Sequence, residues 1–366
     1  MTRTTAFGLY DNSVVGMIER VNDHKFPSAD EIPRQRFWTV RTKHIILATG
    51  AIERPIAFRN NDRPGVMSVG SANTYLNRFA ILPGKKIIIC TNNDSAYLPA
   101  LELSKAGSEV KILDASWHMP NTQRNGYEEY KKDHIKNSIF FDIDKFSNKK
   151  TNLPHMLPDS SEWEKIVSSL GISNDDQIIV YDNSDVISSC RCWYTFIFFG
   201  HDPKLISILN GGLSKWKKEN RETTNELYVS EKKQYMAKKK DSLVKSKDEI
   251  EANIVEKKFK VVDARSKSRF LGLEKEPRPG IRSGSIKNSY NLPFGEIINQ
   301  KDKTFSEKKI IKEKFAKIGI IDENNVVFSC GSGITASVLG LAYSMINDKY
   351  LPTVYDGSWV EYGKIK

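Results

Sequence analysis

Lys111-Ile-Leu-Asp-Ala-Ser116 returns later in the chain as Lys260-Val-Val-Asp-Ala-Arg265. Three further pairs follow in the same order: Ile135-Lys-Asn-Ser138 recurs unchanged at Ile286, Ile178-Ile-Val-Tyr-Asp182 is matched by Val326-Val-Phe-Ser-Cys330, and Ile208-Leu-Asn-Gly-Gly212 by Val354-Tyr-Asp-Gly-Ser358. All four share a spacing of about 150 residues, the signature of a duplicated domain. Within each copy, short β-branched runs alternate with longer helical patterns, which predicts an α/β fold with a parallel sheet flanked by helices. In the second copy the expected order is helix 246–256, strand 259–263, a Pro-Gly turn, strand 289–292, helix 306–317, strand 325–329, helix 335–346 and strand 352–355.

The 366 residues suit two or three domains. Read outward from the repeat, they divide into residues 1–107, a first repeat at 108–224, a lysine-rich linker at 225–244 and a second repeat at 245–366. The composition, 39% hydrophobic and 28% charged, is that of a globular protein. No apolar run approaches the roughly 20 residues that cross a bilayer, and the N-terminus lacks the apolar core of a secretory signal. A cytoplasmic protein that does not insert in membranes is expected. The formal charge of +11 comes from lysines spread along the chain among acids, so a solvated basic surface is expected rather than a nucleic-acid site. The four cysteines, at 90, 190, 192 and 330, fit neither a disulfide framework nor a paired metal site. No metal and no cofactor are expected. Cys190-Arg-Cys192 opens an aromatic run and reads as part of a core helix.

Cys330 stands where an apolar strand ends and a helix is about to begin, with Gly331-Ser-Gly-Ile-Thr335 between them. Glycines let such a loop curl its N–H groups inward and the helix adds its positive end, so a thiolate or other anion is favoured there. The bland alternative is a buried strand-end cysteine. Against it, the matching position of the first repeat is Asp182, followed by a loop without glycine, as expected if only one copy kept a reactive pocket. Gly331-Ser-Gly-Ile-Thr-Ala336 also matches a dinucleotide fingerprint, with Asp356 near the spacing of a ribose-binding acid. However, only about ten residues follow, and the first repeat has no trace of those glycines. A cysteine phosphatase would carry an arginine six positions after its cysteine; here that position is Ala336.

The Cys330 loop, Asp263-Ala-Arg265, Ser268-Arg-Phe270, Glu276-Pro-Arg-Pro-Gly280, Phe140-Phe-Asp-Ile-Asp144, Pro154-His-Met-Leu-Pro158 and Tyr355-Asp-Gly-Ser-Trp359 together resemble the 3-mercaptopyruvate sulfurtransferase branch of the tandem-domain rhodanese family, over about residues 110–366. The resemblance implies two rhodanese-like domains, the second catalytic. Cys330 would carry sulfur as a persulfide from 3-mercaptopyruvate, or thiosulfate, to cyanide or a thiol acceptor such as thioredoxin or a small thiol. It also implies Ser332 and Asp144 as a proton relay, Arg269 and Arg278 as carboxylate binders, and Gly331, Gly333, Ile334 and Thr335 as the loop around the bound sulfur. His155 is a further candidate. Residues 331–335 are uncharged, which favours mercaptopyruvate over the thiosulfate dianion. A sulfur carrier that does not turn over is the competing reading.

Residues 1–107 resemble a slice of the α subunit of heterotetrameric sarcosine oxidase, on Thr2–Asn12, Ile45-Ile-Leu-Ala-Thr-Gly50, Asn61-Asp-Arg-Pro-Gly-Val-Met67 and Cys90–Tyr97. That implies an α+β fragment of a flavoprotein-like dinucleotide-binding fold. The glycine-rich βαβ unit that should precede Ala48-Thr-Gly50 is missing from the sequence, so neither FAD nor NAD is expected. A flavin- or NAD-linked amine oxidoreductase component remains the alternative from this segment. The helical stretch 95–106 stands where the second repeat has its 246–256 helix, and is expected to pack on the strand at 110–114.

Overall fold

The structure is a computed structural model that describes residues 3–21, 33–46, 57–59, 61–84, 87–91, 96–105 and 110–365. They fall in two compact units, Met1–Ala57 and Phe58–Lys366. In the first, β1 (Thr4–Tyr10), β2 (Val14–Arg20) and β3 (Gln35–Arg41) form an antiparallel sheet in that order. Trp38 on β3 donates to Glu19 on β2 at 2.9 Å. The Ala48-Thr-Gly50 motif lies outside the described residues.

The second unit opens with α1 (Val69–Phe79), capped by Ser68, and α2 (Tyr97–Lys105). The first repeat then runs β4 (Val110–Asp114), α3 (Gly126–Lys132), β5 (Ser138–Phe140), α4 (Ser160–Ser169), β6 (Gln177–Tyr181), α5 (Ser189–Phe198), β7 (Ile206–Ile208) and α6 (Gly212–Lys218). The second runs β8 (Val244–Lys245), α7 (Lys247–Glu256), β9 (Lys260–Asp263), α8 (Lys267–Phe270), β10 (Tyr290–Asn291), α9 (Lys308–Lys317), β11 (Val326–Ser329), α10 (Ile334–Ser344), β12 (Thr353–Tyr355) and α11 (Ser358–Tyr362). Both sheets are parallel, ordered β5-β4-β6-β7 and β10-β9-β11-β12-β8. The four shared strands keep the same order, so the repeat in the sequence is a repeat in topology.

Alternate strand residues point to opposite faces, and here both faces are covered. Leu113, Ile178 and Val180 of the first sheet, and Val262, Val326, Phe328 and Val354 of the second, enter one continuous core with the buried helices α5 and α10. The opposite faces are closed separately. Ile112, Ile179 and Tyr181 meet Leu213 and Trp216 of α6, while Val261, Val327 and Tyr355 meet Ile250 of α7 and Trp359 of α11. The shared core brings α5 of the first repeat against α10 of the second.

Helix α2 packs as expected. Its Tyr97, Ala100 and Leu101 join Val110 and Ile112 of β4, and the Tyr97 hydroxyl donates to the Ile208 carbonyl at 2.7 Å. The lysine-rich stretch read as a linker is more than a tether. Tyr235 and Leu243 are buried, the Lys238 and Lys240 amides donate to the carbonyls of Phe199 and Phe198, and Val244–Lys245 add an edge strand to the second sheet. The lysines hid this, because the apolar clusters between them, Tyr235-Met-Ala237 and Leu243-Val244, are too short to show a period.

The repeats differ at one buried carboxylate. Asp263 is paired by Arg265 at 2.6 Å, but Ser116 stands at the arginine's place beside Asp114. Burial raises the Asp114 pKa to about 7, against hydrogen bonds from Ser116. A carboxyl raised in the folded state stabilises fully below its unfolded pKa, and that contribution is lost as pH rises through about 7. Asp114→Asn should therefore raise the melting temperature more at pH 8 than at pH 5, with the difference equivalent to about 1 kcal/mol or more, measured by thermal unfolding at the two pH values.

Candidate active site

Cys330 follows β11 directly, and the chain turns at Gly333, whose φ of 84° suits glycine, into α10. The Gly333 amide donates to the Cys330 sulfur at 3.1 Å. The turn is gripped from α11: Ser358 Oγ accepts from the Cys330 amide at 3.2 Å, and the Trp359 and Val360 amides donate to the carbonyls of Cys330 and Gly331 at 2.9 and 3.0 Å. Tyr355-Asp-Gly-Ser-Trp359 thus forms the outer brace of the cysteine loop. Ile334 turns its side chain into the core, and Thr335 follows in the first turn of α10.

Two arginines converge on this loop. A Cβ placed on Gly331 would lie 3.4 Å from Arg269 Nη2 and 3.9 Å from Arg278 Nη1. Arg269, on α8, is held by Glu276 at 2.5 Å, and the same carboxylate pairs with buried Arg265 at 2.7 Å. For Arg278 no hydrogen bond or ion pair is found among the described residues. Burial lowers the Arg278 pKa, opposed by the nearby Cys330 sulfur and Glu276. Two guanidinium groups over a cysteine, one braced and one uncommitted, present the fork geometry that a small carboxylate can accept from.

The other side of the loop comes from the first repeat. Ser332 Oγ lies 2.9 Å from His155 Nδ1, and His155 Nε2 lies 3.0 Å from Asp144 Oδ1. Asp144 also accepts from the Trp117 indole at 2.9 Å, and that indole meets the imidazole edge-on. Ser332 and Asp144 are therefore joined through His155, which the sequence left as an outlying candidate. Burial lowers the His155 pKa, with Asp144 opposing, so the neutral ring donates from Nε2 to the carboxylate and accepts from the Ser332 hydroxyl at Nδ1. At Asp144, burial pushes the pKa up, but His155 and Trp117 outweigh it and leave the carboxylate below its ordinary range.

Trp117 and Arg191 were missed by sequence reasoning. Trp117 could have been found, since it follows the repeated Asp114-Ala-Ser116 at the carboxyl end of a parallel strand, where ligands gather. Arg191 was hidden between two cysteines of an apolar helix. It is 2% exposed and pairs with Asp356 at 2.6 Å. Asp356 is thus engaged within the protein and does not act as the ribose acid its spacing resembled.

In the first repeat, the loop matching Cys330 borders a cavity of about 190 Å3 lined by Arg124, Asp182, Asn183 and Lys303 among others. There the Asp182 carboxyl accepts from the Ser184 and Ser189 amides at 2.9 and 2.8 Å, placing its own oxygens where the second repeat has its sulfur, and burial raises its pKa.

The Rhodanese-like domain family matches residues 124–219 and 246–364. The chain belongs to the rhodanese family. Among similar proteins, the 3-mercaptopyruvate sulfurtransferase of Mus musculus is 35% identical over 268 residues, covering 72% of this chain and 88% of the mouse protein. The thiosulfate/3-mercaptopyruvate sulfurtransferase 1 of Arabidopsis thaliana is 34% identical over 275 residues, covering 69% and 72%. Among solved structures, SseA from Escherichia coli, titled a 3-mercaptopyruvate sulfotransferase, superposes with a TM-score of 0.61 at 28% identity over 69% of this chain and 93% of that one. Tum1 from Saccharomyces cerevisiae gives 0.64 at 27% identity over 72% and 92%. Both rhodanese repeats thus have counterparts, and the Cys330 loop lies in the second.

Proposed function

We propose that this rhodanese is a sulfurtransferase that moves sulfur from 3-mercaptopyruvate, and less readily from thiosulfate, through a Cys330 persulfide to a thiol or cyanide. The observation that carries the reading is the placement of one cysteine between paired guanidinium groups and a Ser332–His155–Asp144 chain. Arg278 and Arg269 would hold the 2-oxo acid carboxylate. The Cys330 thiolate then attacks the donor sulfur, forming an S–S bond as the donor C–S bond breaks. The electron pair passes to the carbon as the pyruvate enolate, which takes the proton that the donor thiol brought; Ser332 and His155 relay it. An acceptor thiolate attacks the outer sulfur and releases Cys330 as thiolate. Cyanide would leave as thiocyanate.

The relatives' names support the reaction class. The uncharged 331–335 loop supports mercaptopyruvate as donor. All four cysteines are free, which supports a reducing compartment such as the cytoplasm, and no helix among the described residues is long and apolar enough to cross a membrane. Thioredoxin or a small thiol suits the acceptor role. The domain boundaries at about 108 and 245 follow from the repeat, with residues 1–107 as a fragment of the sarcosine oxidase α type that holds no flavin. The borrowed packing of α2 on β4 supports a junction at a helix–strand boundary.

The reading is tested by pyruvate release with each donor and a thiol acceptor. 3-Mercaptopyruvate should turn over well above thiosulfate; absence of pyruvate, or thiosulfate as the better donor, contradicts it. Within the relay, Ser332→Ala should slow pyruvate formation roughly 100-fold without altering donor KM comparably. Because the relay needs neutral His155 and burial holds its pKa below the usual imidazole value, wild-type activity should persist below pH 6.5 before falling as the ring protonates, read from a pH–rate profile.

A further inference from the structure

Arg191 leaves helix α5 of the first repeat and ends beside the catalytic loop of the second. One nitrogen, Nη2, donates both to Asp356 Oδ1 at 2.6 Å and to the His155 carbonyl at 2.5 Å. Asp356 Oδ2 accepts from the Leu157 amide at 2.8 Å, so the ion pair brackets Met156, gripping the chain from the His155 carbonyl to the Leu157 amide. The bracket matters because His155 is held at a φ of 61°, an uncommon conformation for a residue with a side chain. The other nitrogen, Nη1, is buried and has no partner among the described residues. It would stand 2.9 Å from a Cβ at Gly333, the residue whose amide donates to Cys330.

A buried ion pair repays its desolvation only with excellent geometry, and replacing one by apolar residues is often neutral for stability. Stability alone is therefore a weak reason for this arrangement, and the uncommitted nitrogen satisfies nothing in the fold. We infer that Arg191, clamped by Asp356, is a positioning residue for sulfur transfer: it holds the His155 main chain and sets a positive charge near the imidazole, so that the Ser332–His155–Asp144 chain stays aligned with the Cys330 loop. The inference rests on the sulfurtransferase reading for its catalytic part alone. His155 is faced by Asp144 from the loop after β5, Arg191 from α5, Arg278 from the loop after α8 and Cys330 across Ser332, with Asp356 behind Arg191. Of these, Asp144 favours the charged ring, while Arg191 and Arg278 oppose it. Removing the Arg191 charge should let the ring protonate at higher pH.

The test uses the full chain with labelled histidines. The His155 signal, one of six, is assigned by its loss in His155→Gln and titrated by NMR. Arg191→Met should raise the His155 midpoint by about half a pH unit or more. It should also lower kcat for pyruvate formation roughly tenfold, with donor KM changed less than about twofold because Arg269 and Arg278 are intact. Arg191→Lys, which keeps a charge, should hold the midpoint near wild type and recover part of kcat. Should Arg191→Met not fold, Asp356→Asn decides, since an uncompensated guanidinium should lower the midpoint. An unmoved midpoint in the deciding variant, or a KM effect without a kcat effect, overturns the inference. If the wild type makes no pyruvate at all, the sulfurtransferase reading fails, while the His155 titration still decides the role of Arg191.

Discussion

Cys330→Ser should abolish pyruvate formation from 3-mercaptopyruvate, with a loss of roughly 10^4-fold or more and no comparable loss of stability. The serine fills nearly the same space at a site 2% exposed, and its hydroxyl can accept from the Gly333 amide that now donates to sulfur. What disappears is the nucleophile. A hydroxyl is far less readily ionised than a thiol, and no remaining group near the loop can hold a sulfur atom covalently. Nucleophile removal in acyl-transfer enzymes costs a similar factor, because the positioning groups act only as a unit. A melting temperature close to wild type alongside dead turnover supports the account. Residual activity within about tenfold of wild type would place the chemistry elsewhere.

Arg278→Ala should lower kcat/KM for 3-mercaptopyruvate by roughly 10^2- to 10^3-fold, mostly through KM, since a charge-assisted pair with a carboxylate contributes several kcal/mol once shielded from water. Its guanidinium is uncommitted among the described residues, so the loss is that of ligand binding and not of a structural bridge. Arg269→Ala should lose a similar factor and also destabilise, because it strips one cation from Glu276, a carboxylate 4% exposed. Steady-state kinetics beside thermal unfolding separates the two arginines. Equal destabilisation by both, or an unchanged KM in Arg278→Ala, would show that the pair does not bind the donor carboxylate.

The repeat made the two parallel sheets legible, because the matched segments Lys111–Ser116 and Lys260–Arg265, and Ile178–Asp182 and Val326–Cys330, are strands and the turns that leave them. The cysteine loop was equally legible, since glycines between an apolar strand and an apolar helix have few other uses. Arg191, by contrast, sits in an apolar run and acts across the interface of the two repeats, where neither periodicity nor spacing carries information. The same holds for the link between Ser332 and Asp144. Residue types alone cannot say whether a histidine stands between them, and it is the left-handed turn at His155 that puts it there. The burial within the lysine-rich stretch was hidden for a related reason: Tyr235-Met-Ala237 and Leu243-Val244 are apolar clusters too short to show a period.

In the proposed reaction one sulfur atom passes through Cys330. Incubating the protein with 3-mercaptopyruvate and no acceptor, then weighing its cysteine-containing peptides, tests this directly. The Cys330 peptide should gain the mass of a single sulfur and lose it on addition of a thiol, with the peptides of Cys90, Cys190 and Cys192 unchanged. Pyruvate released without sulfur on Cys330, or sulfur carried on another cysteine, would contradict it.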